Sequence, residues 1–148
     1  METRSNPLLS LRSVSKSWRE FRIKNVDLDI WREEYFVVMG PTGAGKTLLL
    51  QLIAGIHYPD SGKIILDGVD VTYLPPEKRS IGYVPQNYAL FPHMLVKDNI
   101  GYGLRIRGYG KEKIEEEVQE ISVKLGISHL LGRRVLTLSG GEQQRVAL

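Results

Sequence analysis

The eight residues Gly40-Pro41-Thr42-Gly43-Ala44-Gly45-Lys46-Thr47 constrain this chain more than any other stretch. They fit the pattern G-x-x-x-x-G-K-[ST], in which glycines let the backbone curl until successive N–H groups point at one anion. Their flanks match that purpose. The run Tyr35-Phe36-Val37-Val38-Met39 before them is continuously apolar, β-branched and aromatic, and predicts a buried parallel strand at the centre of a sheet. After them, Lys46 to Ile56 is leucine-rich and predicts a helix ending near Gly55, released by the turn cluster Tyr58-Pro59-Asp60-Ser61-Gly62. Strand, glycine loop and helix in that order make a triphosphate cradle. The helix start adds its positive dipole end, Lys46 brings a charge for the β- and γ-phosphates, and the Thr47 hydroxyl suits Mg²⁺, a hard cation that prefers oxygen.

The rest of the chain predicts an α/β domain with peripheral parts. Leu8 to Val14 reads as a first strand and Phe21 to Ile30 as a second, half-exposed one, alternating apolar and polar residues with one slip at Asn25-Val26. The two are expected to be antiparallel and peripheral. Asp67-Gly68, set between Ile64-Ile65-Leu66 and Val69 to Tyr73, signals a hairpin. Pro75-Pro76-Glu77 starts one helical turn, and Ile81 to Val84 reads as a strand stopped by Pro85, which leaves Gln86 just beyond a strand end. From Asn87 the pattern turns helical: Val96 to Leu104, a break at Gly108-Tyr109-Gly110, and a helix from Lys111 to Leu125. Ile114, Val118, Ile121 and Leu125 form its apolar stripe, which makes the run Glu115-Glu116-Glu117 a solvated face. Gly126 is its expected C-cap, and Ser128 is expected to cap the turn around His129. The resulting division is residues 1–86, β-rich with the glycine loop, and residues 87–148, helical.

Composition narrows the function classes. With 42% hydrophobic and 25% charged residues the 148-residue chain is of ordinary globular type. A net charge of +3 with scattered basic residues gives no stripe for nucleic acid. Cysteine is absent, so no disulfide or thiolate metal site is available. The longest apolar stretch, Leu48 to Ile56, is interrupted by Gln51 and Gly55 and falls short of a membrane span, and Met1 to Pro7 lacks the apolar core of a secretory leader. A cytoplasmic chain is expected. His93 and His129 lack metal-ligand spacing.

A second motif settles the class. In Leu138-Ser139-Gly140-Gly141-Glu142-Gln143-Gln144-Arg145 a serine and two glycines open a polar helix, another anion-receptive N-terminus. This octapeptide resembles the signature of ABC ATPases, and with the glycine loop it identifies the chain as similar to that family. The resemblance implies a P-loop NTPase (ABC ATPase) fold with a peripheral antiparallel β-subdomain and a helical subdomain. It implies ATP and Mg²⁺ as cofactors and a head-to-tail dimer, in which Ser139, Gly140, Gly141 and Glu142 of one subunit cover the nucleotide held by Gly40 to Thr47 of the other.

Two further residues take roles by resemblance alone. Trp18 matches the aromatic that stacks on adenine; read without the family, it is a rim tryptophan packed on the first strand pair. Gln86 in Tyr83-Val84-Pro85-Gln86 matches the glutamine that contacts Mg²⁺ and the attacking water; by itself it is a turn residue after proline. Asn87 to His93 is similar to the segment of importer subunits that meets the transmembrane permease, and exposed aromatics in Ala89 to His93 are expected to dock it. The whole pattern, with Leu74 to Arg79 and Leu125 to Leu131, looks most like ATP-binding subunits of molybdate/tungstate and related oxyanion importers, at the cytoplasmic face of the membrane.

Departures from the family pattern also carry expectations. Leu48 stands where the family has a second hydroxyl, so one phosphate contact is lost. Glu142 replaces the usual glutamine. The family's Mg²⁺-binding aspartate, catalytic glutamate and switch histidine would lie beyond Leu148, so residues 1–148 are expected to bind nucleotide without hydrolysing it, and to leave Tyr35 to Met39 with an unpaired edge. Two other functions compete: a soluble ABC ATPase acting on nucleic acid, and a non-catalytic nucleotide-binding fragment.

Overall fold

The computed structural model describes residues 6–18 and 21–148; residues 1–5 of the N-terminal stretch read above lie outside that range. Backbone contacts divide the chain into two units, Met1–Tyr83 and Val84–Leu148.

In the first unit, β1 (Leu9–Trp18) and β2 (Phe21–Ile30) pair antiparallel as expected, with β1 running four residues past Val14. The slip read at Asn25-Val26 is a bulge. Register shifts fall on both sides of the Val14–Val26 pair, and Ser13 and Asn25 take left-handed φ of 49° and 46°. Side chains replace the lost ladder there: the Asn25 N–H donates to Ser15 Oγ at 2.9 Å and the Ser13 N–H to Asp27 Oδ1 at 2.8 Å. β3 (Ser61–Leu66) pairs with the other edge of β1, and β4 (Val69–Asp70) follows through the Asp67-Gly68 turn, whose φ of 48° and 77° are those of a type I′ hairpin. Among the described residues the sheet order is β2-β1-β3-β4, all antiparallel.

Helix α1 (Lys46–Ala54) lays Leu48, Leu49 and Leu52 on this sheet against Leu9, Leu11, Val14, Ile23 and Ile64. Gly55 ends it as expected, at φ 83°, and the N–H of Ile56 closes back on the Gln51 carbonyl at 2.9 Å. A single 3-10 turn, Pro76–Lys78, follows the hairpin.

Two expected strands are not formed. Tyr35 to Met39 has no ladder partner among the described residues, and Tyr35, Val37 and Met39 are 93%, 56% and 86% exposed rather than buried. Ile81 to Val84 is likewise irregular. An apolar run becomes a strand only when a neighbour takes up its N–H and C=O groups, and a parallel neighbour must come from elsewhere in the chain. The four paired strands are all engaged in their own antiparallel sheet.

The second unit is helical. The segment expected as one helix from Val96 is two, α2 (Val96–Ile100) and α3 (Tyr102–Ile106), joined at Gly101, where a Cβ would stand 2.8 Å from the Ile114 side chain. α4 (Lys111–Lys124) buries Val118 and Ser122, whereas Ile121 of the expected stripe is 36% exposed. The acidic run is paired along the helix surface, Lys113 with Glu116 and Glu117 at 2.9 Å each. Gly126 takes φ 66° just past α4. Ser128 lies inside the following turn rather than capping it, its hydroxyl 3.0 Å from that of Ser122. α5 (Gly140–Ala147) closes the core through Val146, which packs with Val96, Ile127, Leu130 and Leu138. Among the described residues no helix is long and apolar enough to cross a membrane.

Candidate functional site

The glycine loop owes its shape to two left-handed residues, Gly43 and Gly45, both at φ 85°. A side chain at Gly45 would also meet Ile23 of β2 at 3.2 Å, so the loop rests directly on the sheet. Lys46 spans the loop: its ammonium donates to the carbonyls of Gly40 and Pro41, both at 2.7 Å. Pro41, Thr42, Gly43, Ala44 and Thr47 are exposed. A cavity of about 270 Å³ beside the loop is lined by Arg22, Lys24 and Lys46 as well as by Val38 and Met39, which puts three cations around it.

The start of α1 is chemically open. Its N-cap is Gly45, which has no side chain to accept from the first turn, and that turn holds no acidic residue. The N–H groups of Lys46, Thr47 and Leu48 therefore have neither an intrahelical acceptor nor a side-chain cap, and the positive helix end is uncompensated. A phosphate fits this donor set, and the exposed Thr47 hydroxyl at the second helical position fits a Mg²⁺ held beside it. Leu48, at the position where the resemblance has a hydroxyl, is 6% exposed and belongs to the core.

Trp18 closes β1 and is 40% exposed. Its ring lies against His57, centroids 4.3 Å apart and planes tilted by 36°. The segment carrying His57 is stitched to the strand carrying Trp18 through Asp60, whose N–H donates to the Ser15 carbonyl at 2.8 Å while its carboxylate accepts from Lys16 Nζ at 2.7 Å and the Ser17 N–H at 2.8 Å. The Lys16 hydrogen bond, with that of the Ser17 N–H, holds the Asp60 carboxyl below the usual carboxylate range.

In the second unit, Gln86 is exposed in a turn closed by the Tyr88 N–H on the Pro85 carbonyl at 2.9 Å. Tyr88 and Ala89 follow with left-handed φ of 62° and 50°. Phe91, expected as an exposed docking aromatic, is half-buried because Tyr102 of α3 packs on it with centroids 4.4 Å apart; His93 is exposed. Asn99 pins this loop, accepting from the Phe91 N–H at 2.8 Å and donating to the Phe91 carbonyl at 3.2 Å.

Ser139 is the N-cap of α5, and its hydroxyl oxygen takes up the N–H of Glu142 at 3.4 Å. In return the Glu142 carboxylate accepts from the Ser139 N–H at 2.7 Å, which completes a reciprocal capping box, and from the Ser139 hydroxyl at 2.8 Å, and these bonds lower the Glu142 pKa. Gly140 and Gly141 are exposed beside it, and Gln143 braces the approach by donating to the Leu138 carbonyl at 3.1 Å. The glycine-loop helix and the signature helix thus start in opposite chemical states, one open and one self-capped.

Sequence reasoning passed over Arg79. It is 1% exposed and donates to four carbonyls: Leu52 at 2.8 Å and Ile53 at 2.9 Å in the last turn of α1, Leu74 at 2.8 Å and Thr72 at 3.0 Å. Burial lowers its pKa from the usual arginine value, yet guanidinium stays charged in proteins. No carboxylate among the described residues pairs with it, and its acceptors are backbone carbonyls that the sequence does not signal. His57, Asp60 and Asn99 were missed similarly: each reads as a turn or helix polar residue.

A glycine-rich loop opening an uncapped helix, an antiparallel sheet beneath it and a helical unit with a serine-capped signature helix fit an ABC-type ATPase domain, and the chain belongs to that family: the ABC transporter family model matches residues 23–148. Among its relatives, the molybdate/tungstate import ATP-binding protein WtpC of Methanocaldococcus jannaschii is 59% identical over 141 residues, 95% of this chain and 47% of that protein. WtpC of Pyrococcus abyssi is 56% identical over 95% of this chain and 41% of its own length. The chain therefore spans less than half the length of these two relatives. The fold matches the solved structure of cbiO1 from Clostridium perfringens, part of the ABC transporter complex cbiONQ, with a TM-score of 0.82 and 27% identity over 97% of this chain and 60% of that one.

Proposed function

We propose that this chain is the nucleotide-binding part of an ATP-binding subunit that energises an ABC importer, with an oxyanion such as molybdate or tungstate as cargo. The observation that carries the reading is the open start of α1: a glycine cradle, Lys46 across it and three uncapped N–H donors, with no acidic residue to neutralise them. The names of the relatives supply the cargo class.

In this reading Gly40 to Thr47 hold the phosphates of ATP, Trp18 stacks on the base, and Thr47 and Gln86 hold Mg²⁺. When bound, that ion neutralises charge between the β- and γ-phosphoryl oxygens. Ser139, Gly140, Gly141 and Glu142 serve the nucleotide of a second subunit in a head-to-tail dimer. The transmembrane permease docks near Ala89 to His93, at the cytoplasmic face of the membrane, where closure of the dimer around nucleotide shifts the permease between its states. Residues 1–86 form the cradle-bearing part and residues 87–148 the helical part.

Co-expression with a permease of the same importer class tests this. The chain should co-purify with it, and Phe91→Ala, which strips the Tyr102 contact and loosens the docking loop, should weaken the association several-fold. Retention of DNA or ribosomes in place of the permease would replace the reading with that of a soluble ABC ATPase acting on nucleic acid.

A further inference from the structure

The Trp18–His57 pair has a geometry that side-by-side rings cannot reach. An indole edge lies well over 2 Å from its centroid, roughly, so two rings lying edge to edge would have centroids beyond about 5 Å. At 4.3 Å and 36° the imidazole must lie over an indole face. Trp18 nevertheless keeps 40% of its surface in solvent, so His57 covers the ring only in part.

His57 lies three residues past the end of α1, where left-handed Gly55 and the bonds from the Ile56 and His57 N–H groups to the Gln51 carbonyl, at 2.9 and 3.4 Å, fix the exit direction of the chain. Three residues on, Asp60 fastens the segment to Ser15, Lys16 and Ser17, immediately before Trp18. Pro59 between them is buried. The imidazole is thus carried by a segment tied at one end to the phosphate-cradle helix and at the other to the strand that bears Trp18.

We propose that His57 is a positioning residue of the nucleobase site: it backs one face of Trp18, holding the indole in the orientation that leaves the opposite face for a purine. This rests on the reading of Trp18 as the base-stacking residue and adds the group that sets its orientation. An unsupported indole at a strand end would sample several rotamers, and holding one of them removes an ordering cost that base binding would otherwise carry. Because His57 acts on the base and not on the phosphates, its effect is confined to ligands that have a base.

Calorimetry on the full chain with two ligands, Mg-ATP and inorganic tripolyphosphate, separates these contributions. His57→Ala should weaken ATP about two- to tenfold, the range expected for losing one aromatic contact, and leave tripolyphosphate unchanged. His57→Phe, which retains a ring, should restore ATP binding. His57→Gln offers a second ringless variant if the alanine form does not fold, with the same expected split between ligands. Unchanged or tighter ATP binding in the ringless variants would overturn the proposal, as would a parallel loss of both ligands, which would make His57 a general structural residue. Trp18→Ala separates the two layers: if it too leaves ATP binding intact, the base site itself falls and the role of His57 with it, whereas a loss in Trp18→Ala with silent His57 variants removes His57 alone.

Discussion

Arg79 and Gly55 form a pair in which each residue makes sense only through the other. The guanidinium occupies the space above Gly55, where a Cβ would stand 2.6 Å from Nε, and from there it reaches the last carbonyls of α1 at the negative end of the helix. Gly55→Ala is therefore strained both by its φ of 83° and by this contact, and should destabilise the first unit. Arg79→Met keeps apolar bulk but leaves four carbonyls without their donor; a loss of roughly 3 kcal/mol or more is expected in denaturant titration. Asp60 gives a pH-dependent counterpart. Its folded pKa is depressed by Lys16 and the Ser17 N–H, so the stabilisation is complete above its unfolded value, near about pH 4, and is lost as pH falls through the lower folded value. Asp60→Asn should flatten that part of the acid limb of an unfolding profile; an unchanged limb would show that the bridge to β1 contributes nothing. None of this was legible beforehand, because Arg79 sits among Glu77, Lys78 and Ser80 exactly as a surface arginine would, and its partners are backbone atoms that only the folded turn brings together.

At the scale of elements, what was legible followed from local chemistry. Asp67-Gly68 specified its hairpin because a type I′ turn needs two left-handed residues, Gly55 specified the end of α1, and Gly108 to Gly110 the start of α4. What was not legible required long-range pairing: Tyr35 to Met39 and Ile81 to Val84 have strand composition but no paired neighbour among the described residues. The starts of α1 and α5 show a finer limit. Both read as anion-receptive, yet α5 has a side-chain cap, Ser139 with Glu142, while α1 has none. Ser139→Ala should cost about 1 kcal/mol through loss of the cap, seen as reduced helicity and an earlier unfolding midpoint, whereas a substitution at Gly45 should disturb the loop and leave the helical unit unaffected.

At the scale of the whole molecule, the chain carries the glycine loop and its open helix start while spanning less than half the length of its two importer relatives. Tyr35 to Met39 is an exposed apolar run of strand composition without a ladder partner among the described residues, and therefore a template for self-association. Val37→Lys should lower light scattering by the concentrated chain without affecting nucleotide affinity; unaltered scattering would place the sticky surface elsewhere. The most direct test of the account is calorimetric titration of the 148-residue chain with Mg-ATP beside its Lys46→Ala variant. The account predicts saturable one-site binding that the variant weakens by tenfold or more, and equal affinities in the two proteins would contradict it.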